Sequence, residues 1–124
     1  MVKVLIVRAD SAHREEIRTL LSGPHFDVEV AANVTEALKI AERFVPDLVI
    51  VDFGLQGGGE ASDVFRIIDT IHARNPKSRS ILTSGRPFDD VVQRYRDIPA
   101  VVCLTEPLES ADLMAAVRKA VESL

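Results

Sequence analysis

Cysteine is nearly absent from this chain of 124 residues: Cys103 is the only one. No intramolecular disulfide can form and no Cys-based metal cluster can be assembled, which fits a reducing compartment. His13, His25 and His72 are scattered, and no two of them have the spacing of a metal-ligand pair. The apolar opening Val2–Val7 is too short to span a bilayer, and no small-residue cleavage site follows it. A strong excess of one charge is also missing. The formal net charge of −4 supplies no bulk attraction to nucleic acid or to an anionic membrane. Low-complexity tracts, like-charge blocks, internal repeats and linkers are absent too. The expectation is one cytoplasmic domain over residues 1–124, with no direct nucleic-acid binding and no membrane association.

What is present is an alternation of two patterns. Val4-Leu5-Ile6-Val7 and Leu48-Val49-Ile50-Val51 are continuous apolar runs, the signature of strands buried on both faces. Ser80-Ile81-Leu82-Thr83 and Ala100-Val101-Val102-Cys103 read as further strands. Phe26, Val28 and Val30 alternate with Asp27 and Glu29, so this strand is half-buried and belongs at a sheet edge. Helical stripes fall between them. Ile17, Leu20 and Leu21 follow a cap at Ser11, and Val34, Ala37, Leu38 and Ala41 follow a cap at Asn33. Val64, Ile67, Ile68 and Ile71 stand at i, i+3, i+4 and i+7. A short helix is expected from Pro87 through Tyr95, and a final one carries Leu113, Ala116, Val117, Ala120 and Val121.

Five β–α pairs in strict alternation predict an α/β fold: a parallel sheet with helices on both faces. Ligand sites in such sheets lie beyond the carboxyl ends of the strands. The residues to examine are therefore Arg8-Ala9-Asp10, Asp52-Phe53-Gly54, Thr83-Ser84-Gly85 and Glu106-Pro107. Asp52 closes a buried strand, Thr83 ends another with a hydroxyl, and Gly54 lets backbone approach whatever Asp52 holds.

Over essentially its full length the chain resembles a receiver domain of the two-component response regulators. Pro46-Asp47-Leu48-Val49-Ile50-Val51-Asp52 is similar to the segment that ends on the phospho-acceptor aspartate. Ile81-Leu82-Thr83-Ser84 is similar to the strand whose hydroxyl residue binds the phosphoryl group, and Glu106-Pro107-Leu108 stands where the family has Lys-Pro-Phe or similar. The resemblance implies a flavodoxin-like five-stranded sheet of order 2-1-3-4-5, for which a member of this family is a standard example. It implies phosphorelay signal transduction, with Asp52 as acceptor, Thr83 and Ser84 as phosphoryl-binding residues, and Gly54 as a backbone ligand of Mg²⁺. Partners would be a sensor histidine kinase or a phosphotransfer protein. A homodimer through the last strand and the fourth and fifth helices is compatible with it. The chain would not be an enzyme beyond autophosphorylation at Asp52 from a phosphodonor.

The chain departs from the family at this pocket. Arg8 and Ala9 stand where the family carries the acidic pair that holds Mg²⁺, and Glu106 replaces its Lys. Ala9 cannot bind a metal and Arg8 would repel one. Any remaining metal set is reduced to Asp52, Asp10 and the Gly54 carbonyl, and Asp10 reads better as the cap of the first helix, accepting from its first-turn amides, than as a metal ligand. The two changes have opposite sign, so Arg8 is expected to pair with Asp52, Glu106 or both. At about 4 Å and an effective dielectric near 20 such a pair gains roughly 4 kcal/mol before desolvation. Arg86 follows Ser84-Gly85 and either reaches an anion in the pocket or stands in solvent. Cys103 occupies the family's aromatic switch position, where it reads as a small core residue that cannot signal by ring rotation.

Three functions compete on these residues: a phospho-accepting receiver, a phosphorylation-independent pseudo-receiver acting as a protein-interaction module, and a small nucleotide- or flavin-binding enzyme. No Gly-rich phosphate fingerprint follows the first strand, and Gly57-Gly58-Gly59 has no Lys-Ser/Thr after it, which ranks the third last.

Overall fold

The computed structural model describes residues 1–52, 61–84 and 101–124. Five strands, β1 (Val2–Val7), β2 (Phe26–Ala31), β3 (Leu48–Asp52), β4 (Arg79–Ser84) and β5 (Val101–Thr105), form one sheet of order β2-β1-β3-β4-β5. All four pairings are parallel. The described helices are α1 (Ser11–Leu20), α2 (Val34–Phe44), α3 (Ala61–Arg74) and α4 (Ser110–Glu122). The expected helix from Pro87 to Tyr95 and the loop at Gly57–Gly59 lie outside the described residues.

The period-2 geometry of strands sorts the apolar runs between two cores. Leu5, Val7, Val49, Val51 and Leu82 face the helices α2 and α3 and pack with Val64, Ile67 and Ile71. Val4, Ile6, Leu48, Ile50 and Ile81 face α1 and α4 and pack with Ile17, Leu21, Leu113 and Val117. The same parity, continued to the strand tips, settles which face the candidate site occupies. Arg8 follows Val4 and Ile6, Asp52 follows Leu48 and Ile50, Thr83 follows Ile81, and Glu106 follows Leu104, which also packs on the α1/α4 side. All four therefore belong to one face of the sheet.

Caps fix where the helices begin. Asn33 accepts from the amide of Glu36 at 2.9 Å, and the Glu36 carboxylate accepts from the amide of Ala32 at 2.8 Å. That reciprocal pair starts α2 where the sequence places it. At α1 the structure chooses between the two caps that the sequence offers: Asp10, not Ser11, holds the position, and its carboxylate accepts from the amides of Ala12 at 2.9 Å and His13 at 3.3 Å. These bonds, that of His13 first, hold the Asp10 carboxyl below the usual carboxylate range. Leu20 also departs from the expected stripe. It is 36 % exposed and stands outside the core that Ile17 and Leu21 join.

β2 lies at the sheet edge, as its alternating pattern requires. Its Glu29 is held by Arg43 of α2 through two bonds of 2.9 Å. β5 runs further than the sequence indicates, to Thr105, and this brings Leu104 into the α1/α4 core. No helix among the described residues is long and apolar enough to cross a membrane.

Candidate functional site

β1 does not end cleanly at Val7. The amide of Arg8 still donates to the carbonyl of Ala31 at 3.1 Å, so Arg8 keeps strand geometry and directs its side chain to the α1/α4 face. There it is buried, with 4 % of its surface exposed. Its Nη1 donates to the Thr83 hydroxyl oxygen at 3.1 Å, and its Nη2 meets Glu106 Oε1 at 2.7 Å. Thr83 is fully buried, while the Glu106 side chain keeps 28 % exposure. The ion pair expected of Arg8 is thus made to Glu106.

Topology places this bridge over Asp52. In the sheet, β3 lies between β1 and β4. Neighbouring strands are about 4.8 Å apart, so a side chain rooted in β1 that bonds to β4 has crossed β3. Asp52 ends β3, opposite Thr83 in register, and stands one residue beyond the Val7–Val51 pair. The Arg8 guanidinium is carried across the strand end that bears Asp52, which is half-buried. A permanent cation held there does electrostatically what a bound metal would do: it favours negative charge at the tip of β3.

Backbone bonds hold the ends of the bridge. The amide of Glu106 donates to the Ser84 carbonyl at 2.7 Å, which ties the segment after β5 to the tip of β4. Glu106–Pro107 is a cis peptide bond. Ser84 itself is buried, at 4 % exposure. Arg14, on the first turns of α1, donates from Nη1 to the Arg8 carbonyl at 2.9 Å and more distantly to that of Ala9 at 3.5 Å. The sequence reading missed Arg14. Its signal was its place four residues after the cap Asp10, which turns it back toward the β1 tip. Among the described residues, Nε of Arg8 and Nε of Arg14 are both buried without a hydrogen-bond partner.

The pocket does not fit the divalent ion that its position suggests. Hard cations such as Mg²⁺ require several oxygen ligands, mainly carboxylates. Here Ala9 brings none, Arg8 brings a cation that bonds to Thr83, and Asp10 spends its carboxylate on the amides that start α1. No group of three or more His, Cys, Asp or Glu residues that could hold a metal occurs among the described residues. Gly54 and Arg86 lie outside the described residues. Cys103, opposite Leu82 in register, packs against the α2/α3 core, and burial pushes its thiol up, so it is a small core side chain and not a thiolate.

A parallel sheet of this order, with its polar cluster at the carboxyl ends of the strands, defines the doubly wound class that binds at that edge. The sequence pattern of the response regulator receiver domain matches residues 4–118, and the chain belongs to that family. An NtrX-like response regulator of Rickettsia bellii is 30 % identical over 98 % of this chain, and one of Rickettsia felis is 30 % identical over 96 %. The chain spans about a quarter of the length of these relatives (25 % in each). Among solved structures, a CheY-like receiver domain protein from Methanospirillum hungatei superposes with a TM-score of 0.83 at 22 % identity, covering 99 % of this chain and 96 % of that one. NtrX from Brucella abortus, solved in complex with ATP, superposes with a TM-score of 0.81 at 22 % identity, over 98 % of this chain and 27 % of that one. These structural likenesses carry the fold.

Proposed function

We propose that this receiver domain serves two-component signalling without the Mg²⁺-dependent switch, as a protein-interaction module whose pocket is set permanently by Arg8. The observation that carries this is the buried guanidinium that bridges Thr83 and Glu106 across the end of β3. Acyl-phosphate formation on an aspartate depends on positioning and charge neutralisation of the phosphoryl oxygens. The carboxylates and the lysine that would supply both are replaced, and the Thr83 oxygen already accepts from Arg8. Partners on this reading are proteins of the phosphorelay, a sensor histidine kinase or a phosphotransfer protein, in a cytoplasmic setting.

A second reading has its own support. The free Nε of Arg8 is a donor left in the pocket, and Asp52 ends β3 opposite Thr83. On that reading Asp52 accepts a phosphoryl group with Arg8 as the cation that the described residues bring to it.

Intact-mass spectrometry after incubation with acetyl phosphate separates the two. The expected result is no phosphoryl adduct, with or without Mg²⁺, under conditions that label an ordinary receiver. An adduct that forms without Mg²⁺ and disappears in Asp52→Asn supports the second reading. A Mg²⁺-dependent adduct on Asp52 overturns both.

A further inference from the structure

A second arginine stands at the tip of β1, in an unfavourable setting. Arg14 is half-buried and lies at the start of α1. The first turn of α1 carries no acidic residue, and a cation there opposes the positive end of the helix dipole. Asp10, four residues earlier, is engaged by the amides of Ala12 and His13 and by the His13 ring at 3.0 Å. Four residues later comes Arg18, a like charge. Among the described residues no carboxylate pairs with Arg14. Its Nε is buried without a hydrogen-bond partner, which is destabilising in itself. None of this serves the stability of α1.

What Arg14 does make is a bond to a group that the sheet leaves over. In a parallel ladder the amide and the carbonyl of one residue point to the same neighbouring strand. The Arg8 amide donates to the Ala31 carbonyl at 3.1 Å. Ala31 is the last residue of β2, so no strand amide follows it to meet the Arg8 carbonyl. Nη1 of Arg14 takes that place at 2.9 Å, with the Ala9 carbonyl at 3.5 Å beside it. Arg8 is thereby held at both of its backbone groups, by β2 through its amide and by α1 through its carbonyl. Its guanidinium sits at the end of a long flexible side chain and must cross β3 to meet Thr83 at 3.1 Å and Glu106 at 2.7 Å. A small rotation of the backbone at the root of such a side chain becomes a large displacement at its tip.

We propose that Arg14 is a positioning residue: by holding the Arg8 carbonyl it aims the Arg8 guanidinium across β3 onto Thr83 and Glu106. The proposal rests on the reading of Arg8 as the fixed cation of the pocket, and it says what fixes that cation. Arg14 itself bonds to neither Thr83 nor Glu106, so it acts through Arg8. Its unfavourable setting is then accounted for. A side chain kept for aim rather than for stability tolerates opposition to the helix dipole and a donor without a partner.

The test is Arg14→Met, which keeps much of the side-chain volume and removes the donor and the charge. In isotope-labelled protein the Nε–H signal of Arg8, identified by its loss in Arg8→Lys, reports how firmly the guanidinium is held. Its exchange with water is expected to quicken about tenfold in Arg14→Met, the factor that one lost charge-assisted hydrogen bond gives. The Thr83 amide signal should shift with it. The urea midpoint is expected to stay where it is or rise, because no cation then opposes the helix dipole at position 14. Arg14→Lys, which keeps a cationic donor, should restore most of the protection at Arg8. Unchanged exchange at Arg8 in Arg14→Met would overturn the proposal, and so would Arg14→Lys behaving no better than Arg14→Met. A fall in the urea midpoint, or failure of Arg14→Met to fold, would also overturn it by making Arg14 a residue of stability. These failures leave the metal-independent reading standing, because Arg8 then keeps its bridge without help from Arg14. A Mg²⁺-dependent adduct on Asp52 of the unchanged protein would remove that reading, and the exchange rates would still decide whether Arg14 holds Arg8.

Discussion

Replacing Arg8 by alanine is expected to lower the free energy of unfolding by about 3 kcal/mol, the low end of what breaking a buried ion pair costs. Arg8 is 5 % exposed at its side chain and Glu106 28 %. Removing the guanidinium leaves Glu106 a mostly buried charge without its cation, and it leaves a cavity beside the fully buried Thr83. The partial exposure of Glu106 allows some rehydration, which is why the upper end of the range is not reached. A companion variant separates charge from packing. Arg8→Met with Glu106→Leu removes both charges and keeps apolar volume, so it should recover most of the loss. Urea denaturation of the three proteins reads the differences directly. A change below about 0.5 kcal/mol for Arg8→Ala would place Arg8 among ordinary surface residues.

Restoring the charges has the larger functional effect. Arg8→Asp, Ala9→Asp and Glu106→Lys together are expected to give a domain that is labelled by acetyl phosphate in the presence of Mg²⁺, where the unchanged chain is expected to take no phosphoryl group. Asp52 and Thr83 are already opposite one another at the ends of β3 and β4, and parity puts positions 8 and 106 on their face of the sheet. Two new carboxylates at the tip of β1 would supply oxygen ligands, and a lysine after β5 would supply the second cation. Asp52→Asn in the same background should abolish labelling. A triple variant that folds, by circular dichroism, and binds Mg²⁺ without being labelled would show that more than these three residues separates this pocket from an active one.

Most of the fold was legible because buried parallel strands declare themselves. Val4–Val7 and Leu48–Val51 have no polar interruption, and only a sheet covered on both faces accommodates such runs. The position of Asp52 at a strand tip followed from the same runs. The opposite-sign changes at Arg8 and Glu106 were legible as a pair, since two tips of one parallel sheet border one pocket. The bond from Arg8 to Thr83 was not. It depends on how far the guanidinium reaches across β3, and spacing along the chain carries no measure of that. The cap of α1 was left between Asp10 and Ser11 because both are good caps, and only the geometry at the end of β1 chooses between them. Leu20 was assigned to the core because periodicity marks a face of a helix and not the depth to which each residue on it is covered.

The central claim is that Arg8, and not a metal ion, supplies the positive charge at the end of β3. A Mg²⁺ titration of the unmodified protein, followed by the amide NMR shifts of Arg8, Asp52 and Thr83, tests it most directly. The account predicts no saturable shift at these residues at millimolar Mg²⁺. Saturable binding centred on Asp52, with the Arg8 signals moving as the guanidinium leaves Thr83, would contradict it.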